Sequence, residues 1–102
     1  MKKDLELFMT GPAGIRTVGA IFCYPTPDDA QPLVDNVAVR SSNPKPLKLA
    51  PGRYEYEFAV DVGSGKFSLW IREQGNKTGF AKKTCDTSLG TDGLVFNFQV
   101  LP

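Results

Sequence analysis

Five side chains of this chain are suited to holding a ligand: Arg53, Glu55, Glu57, Trp70 and Arg72. An exposed indole is a platform for sugar rings or an anchor for a protein partner, and arginines and carboxylates around it supply hydrogen bonds. Trp70 shares strand parity with Ser68 and Arg72, opposite Phe67, Leu69 and Ile71. If that parity faces solvent, Trp70 is a binding platform. The alternative is burial under a loop or against a second sheet. Glu55 and Glu57 are two apart on one strand face. Glycoside hydrolysis needs two carboxyls at a defined separation across a cleft, whereas same-strand neighbours on a flat sheet make a solvated face. No catalytic site is therefore expected, and the chain reads as a non-enzyme.

Composition narrows the chemistry further. There is no histidine, which removes Ser-His-Asp and Cys-His catalysis and most zinc sites. Cys23 and Cys85 are far apart and form no Cys-x-x-Cys pair, so they read as two buried thiols, with a bridge between distant strands as the alternative. Asp86, Thr87, Ser88, Thr91 and Asp92 make an oxygen-rich loop, but two carboxylates are a thin set for calcium, and turn formation explains them. Asp28 and Asp29 read the same way. Asn76-Lys77-Thr78 fits a glycosylation triplet, and Gly63-Ser64-Gly65 opens no helix and so makes no phosphate loop. No metal and no cofactor is expected. Lys77, Lys82 and Lys83 cluster without a matching basic stripe, and the net charge is +1, which argues against nucleic acid.

The elements that would position these residues are strands. Apolar residues alternate, and ten Gly and eight Pro supply turns. Strands are predicted over residues 4–10, 15–24, 33–40, 47–49, 53–62, 66–73, 80–85 and 94–101. Leu5, Leu7 and Met9 share one face of the first, and Ile15, Thr17, Gly19, Ile21 and Cys23 one face of the second. Val37 and Val39 point inward in the third. Tyr54, Tyr56, Phe58, Val60 and Val62 face the core, with Arg53, Glu55, Glu57, Ala59 and Asp61 opposite. Leu94, Phe96, Phe98 and Val100 form the last apolar face. Gly63-Ser64-Gly65 is expected to close a hairpin between the two long strands. Seven or eight short strands in 102 residues predict one all-β domain, an antiparallel β-sandwich that is immunoglobulin-like in the broad sense, with a small β-barrel as the alternative.

Leu49-Ala50-Pro51-Gly52-Arg53-Tyr54 has the form L-x-P-G-x-Y. It resembles a recurrent element of small bacterial and secreted sandwiches of the prealbumin-like and fibronectin-like kinds. Residues 51–63 also resemble a segment of glycogen- and starch-binding sandwich modules, with Val62 inserted between Asp61 and Gly63. The resemblance implies a β-sandwich and a carbohydrate ligand. Physically, Pro-Gly makes the turn, and Tyr54 fills the core while its hydroxyl reaches backbone at the edge.

The expected function is thus non-catalytic binding, with Trp70, Arg72, Arg53, Glu55 and Glu57 as the ligand-binding set. The expected partner is a carbohydrate or a protein, with no role for nucleic acid or membrane. The alternative is a structural or protein-interaction domain that uses sheet edges or the proline-rich loops 25–32 and 41–46. The N-terminal lysines are followed by Asp4 and Glu6, which fits a cytoplasmic chain, or a secreted or surface one if it is a mature portion.

Overall fold

The computed structural model describes residues 2–102. Its strands are β1 (Lys3–Thr10), β2 (Arg16–Cys23), β3 (Val34–Arg40), β4 (Lys45–Leu49), β5 (Gly52–Val62), β6 (Lys66–Glu73), β7 (Ala81–Asp86) and β8 (Leu94–Val100). One 3-10 turn, Thr87–Leu89, precedes β8. The strands make two four-stranded antiparallel sheets, ordered β4-β1-β6-β7 and β3-β2-β5-β8. Their inner faces close a β-sandwich only 18 Å across its thinnest direction, the depth of two packed sheets with side chains.

Alternation decides which faces meet. Leu5, Leu7 and Met9 of β1 and Phe67, Leu69 and Ile71 of β6 are buried from one sheet. Ile21, Val37, Val39, Tyr54, Tyr56, Phe58, Phe96, Phe98 and Val100 are buried from the other. Burial on this scale is the main stabilising term, about 25 cal/mol per Å² of apolar surface removed from water. Cys23 departs from the expected pattern. It has inward parity, but it ends β2 beyond the core and is exposed, while Cys85 is buried in the opposite sheet. Both are free thiols. Val62 likewise runs past the core and is exposed.

The predicted hairpin at Gly63-Ser64-Gly65 does not form. Val62 pairs with Arg16 of β2, and Lys66 pairs with Asp86 of β7. The segment is an arch that carries the chain from one sheet to the other. A hairpin would set the apolar faces of β5 and β6 side by side in one sheet, whereas the arch turns them toward each other across the core. Gly63 (φ +85°) and Gly65 (φ +130°) take conformations that a side chain disfavours. A Cβ at Gly63 would lie 2.4 Å from the Gly14 carbonyl oxygen. The arch is tied to the turn before β8: the Gly65 N–H donates to Thr87 Oγ1 at 2.8 Å, and the Thr87 N–H returns to the Gly65 carbonyl at 3.1 Å.

Two tyrosines of β5 carry polar atoms into this core. The Tyr54 hydroxyl donates to the Ala50 carbonyl at 2.6 Å and so pins the Pro51-Gly52 turn. Tyr56 is fully buried. Its hydroxyl donates to the Val37 carbonyl at 2.8 Å, which leaves it to accept from the buried Thr17 hydroxyl at 3.0 Å. Strands β2, β3 and β5 are thereby joined through one phenol. Burial pushes that phenol up to about 12, with the Thr17 hydrogen bond acting in the opposite direction.

Phe58→Ala or Phe98→Ala should cost about 3–5 kcal/mol in urea unfolding, because both rings are core and leave cavities. A neutral outcome for either would reverse the assigned faces. A raised phenol favours folding fully below the unfolded value of about 10, and that contribution is lost as pH rises toward 12. Alkaline titration followed by phenolate absorbance should therefore show Tyr56 ionising only together with unfolding. Tyr56→Phe should remove one phenol from that late step. All three tyrosines ionising together near pH 10 would contradict the buried network.

Candidate functional site

The arch divides the five expected ligand-binding residues between opposite outer faces. Trp70 and Arg72 lie on β6, on the outside of the β4-β1-β6-β7 sheet. Arg53, Glu55 and Glu57 lie on β5, on the outside of the other sheet. They therefore do not flank Trp70. The expectation of a joint set followed from the hairpin, in which β5 and β6 would have been neighbours.

Trp70 has the outward parity expected of it and is half-buried. Register places Phe8 of β1 opposite it on one side and Lys82 of β7 on the other. The Phe8 and Trp70 rings are nearly parallel, 11° apart with centroids at 6.0 Å. The Lys82 ammonium sits 4.7 Å from the Trp70 ring centre, and the Arg72 guanidinium 4.0 Å from that of Phe8. Glu6 lies opposite Arg72 and accepts from its Nε at 2.7 Å, with a second contact from the guanidinium Nη2. The indole N–H donates to Thr10 Oγ1 at 2.9 Å. Gly79 packs so close that a Cβ there would stand 2.8 Å from Trp70 Cε3. The row Glu6–Arg72–Phe8–Trp70–Lys82 is thus satisfied within the molecule. Each aromatic ring already carries a cation, and the indole donor is occupied. Glu6, Phe8 and Thr10 share the outward parity of β1 and so were visible as a face. That β1 lies beside β6 depends on long-range pairing that parity does not encode.

On the other face, Glu55 is 8% exposed, opposite Phe22 of β2 and Asn97 of β8. It joins Glu57, Asp28, Phe22, Pro27 and Val95 in lining a cleft of about 430 Å³ under the proline-rich loop. Burial pushes the Glu55 carboxyl up, and the neighbouring charge and shared hydrogen bond of Glu57 push it the same way. Glu55 and Glu57 stand side by side on one strand, whereas the paired carboxyls of glycoside hydrolysis flank the bond from two sides. The oxygen-rich loop uses its own acid: Asp86 accepts from the Ser88 N–H at 3.0 Å and from Ser88 Oγ at 2.8 Å. These bonds pull its carboxyl below the usual range and cap the 3-10 turn. Among the described residues no cluster of three His, Cys, Asp or Glu is placed to hold a metal ion.

The sheet edges differ sharply from one another. An edge strand offers unpaired N–H and C=O groups to another chain, and proteins block it with proline, charge or a bulge. In β4, Pro46 and Lys48 do this. A register shift sets β3 off from β2, with Asn36 at φ 54° beside Asp35. In β7, Lys83 stands in register with the buried Leu69, a charge on the inward side of an edge. The fourth edge, β8, reads Leu-Val-Phe-Asn-Phe-Gln-Val and carries no charge, proline or glycine. It pairs with β5 in unbroken register and, among the described residues, has no strand on its other side. Apolar surface gathers on this flank. Phe80 (48% exposed) and Leu101 (63%) line a cavity of about 480 Å³ with Leu5, Ala81 and Val100, and Gln99 and the Lys3–Glu73 ion pair complete its wall. Leu89 (88%) borders a smaller one with Cys85 and Leu94. The signal for β8 lay in the sequence as an uncharged, alternating run, but which strands end a sheet did not.

No protein family, curated protein or solved structure matches this chain.

A double-mutant cycle of Phe8→Leu and Trp70→Leu should give a coupling of about 0.5–1.5 kcal/mol in unfolding free energy, as expected of a stacked pair. Strictly additive losses would mean that the two rings act independently.

Proposed function

We propose that this chain is a non-catalytic binding module that takes a protein partner by strand addition along β8. The observation that carries this reading is the contrast among edges: three strands bear a blocking device and β8 bears none. Backbone hydrogen bonds along an open edge supply affinity, and pockets beside it receive alternate side chains. The cavities bordered by Phe80 and Leu101 and by Leu89 and Leu94 lie on that flank. A further groove beside β5 and β8 is lined by Tyr24, Arg53, Tyr54, Asn97, Phe98 and Gln99, so Arg53 returns here as a contact for the incoming strand. The carbohydrate reading rests on Trp70, and a stacking platform works best with a free ring face and free donors. Lys82, Phe8, Gly79 and Thr10 already use much of that indole.

The test is a fluorescently labelled peptide of residues 94–100 flanked by lysines, titrated with the protein and followed by anisotropy. Saturable binding is expected. It should be lost in Asn97→Lys, which places a charge on the exposed edge, and kept in Thr84→Lys on β7. Equal binding by wild type and Asn97→Lys, or no saturable binding, would end the reading. A soluble glucan that shifts Trp70 emission saturably would return the function to carbohydrate.

A further inference from the structure

Resting on β8 as the association edge, we infer that its partner is a second copy of this chain, joined to it through antiparallel β8–β8 pairing about a two-fold axis at Asn97. The run Leu94–Val100 is seven residues long and centred on Asn97. Placed against itself antiparallel, Asn97 meets the second copy's Asn97, Phe96 meets Phe98, Leu94 meets Val100 and Val95 meets Gln99. Every inward residue thus faces an inward residue. In the monomer Phe96, Phe98 and Val100 are buried, and Asn97 and Gln99 are exposed. The joined sheets therefore keep one continuous apolar face and one continuous polar face, with no slip of register.

Self-pairing demands that a surface tolerate its own image. A charged edge residue near the axis would meet its own kind, and β8 has none. The Phe96–Phe98 pairs add aromatic cross-strand contacts on the buried side. The three remaining edges are blocked, so pairing stops at two copies and does not run on into a fibre. The edges β7 and β8 are on one flank, since β7 and β8 touch while β3 and β4 touch on the other. Lys82, Lys83 and Asp86 of β7 therefore lie on the side of the second copy, charges of both signs beside a contact held by backbone bonds and apolar packing.

Sedimentation velocity over a concentration series tests this, alongside a symmetric disulfide trap. Wild type should pass from monomer to dimer as concentration rises. Asn97→Lys should weaken the dimer at least tenfold while its unfolding curve stays close to wild type. In a Cys23→Ser background, Asn97→Cys should cross-link on mild oxidation, because opposed Cα atoms in an antiparallel pair fall within disulfide reach. Val95→Cys should not, because the two copies of residue 95 would be about 13 Å apart along the strands. A wild type that stays monomeric at every concentration, with no cross-link in the Asn97→Cys variant, overturns the second-copy proposal. If the residue 94–100 peptide still binds in that case, the β8 edge stands and its partner is another chain. If the peptide also fails, both readings fall. A dimer indifferent to Asn97→Lys places the contact on another face and overturns the proposal.

Discussion

The arch at residues 63–65 is the constraint from which the rest of this structure follows. The alternating strands β5 and β6 are adjacent in sequence, yet each bonds to strands of its own sheet and not to the other. A chain that turned back on itself here would give one sheet with a single greasy face and nothing to cover it. The arch makes each strand the cover of the other. It also sends the outward residues of β5 and β6 to opposite sides of the molecule, and so decides which side chains can ever act together. The requirement falls on glycine because the turn passes against the backbone of Gly14 with no room for a Cβ.

Once the sheets face each other, the core has to satisfy the polar atoms that large aromatics bring into it. Tyr54 and Tyr56 do this in different ways. The first anchors a local turn four residues back, and the second binds β3 and β2 to β5 from the centre of the apolar layer. A fully buried phenol with both its donor and acceptor used specifies one arrangement of those three strands, because any slip would leave a buried hydroxyl or carbonyl unpaired, at about 1–3 kcal/mol each. The outer ladder of Phe8 and Trp70 has a weaker version of the same role. It ties β1, β6 and β7 with contacts half open to water, where cation–aromatic pairs are worth about 0.5–1 kcal/mol.

Much of this was legible in the residues alone. Period-two alternation gave strand positions and inward faces almost throughout, because one side of each strand must be apolar for a sandwich to close. The span of β6 is the one expected, and β1, β3 and β8 differ only at their ends. The tyrosine after Pro51-Gly52 behaves as its position implies, with its hydroxyl on the Ala50 carbonyl. What failed shares one cause. Alternation is local, and it reports which way a side chain points but not which strand lies alongside. The hairpin, the grouping of Arg53, Glu55 and Glu57 with Trp70, and the inward placing of Cys23 all required pairing or core extent to be guessed. The residues that surround Trp70, from Glu6 to Lys82, were hidden for the same reason.

Edges are where that missing information bears most on function. A sandwich has four of them, and each is a backbone template held off from other chains by some local feature. Those features are cheap in sequence terms: one proline in β4, one irregular residue in β3, one misplaced lysine in β7. A single substitution of that kind at Asn97 or Gln99 would sit on solvent and disturb nothing in the core. Its absence from β8 therefore owes nothing to packing. The inward residues of β8 must be apolar because they build the core, but the outward ones are under no such demand, and still Val95, Asn97 and Gln99 are all neutral. An edge left plain on both faces, flanked by exposed Phe80, Leu89 and Leu101, is what a strand needs if its open side is to be covered by another strand.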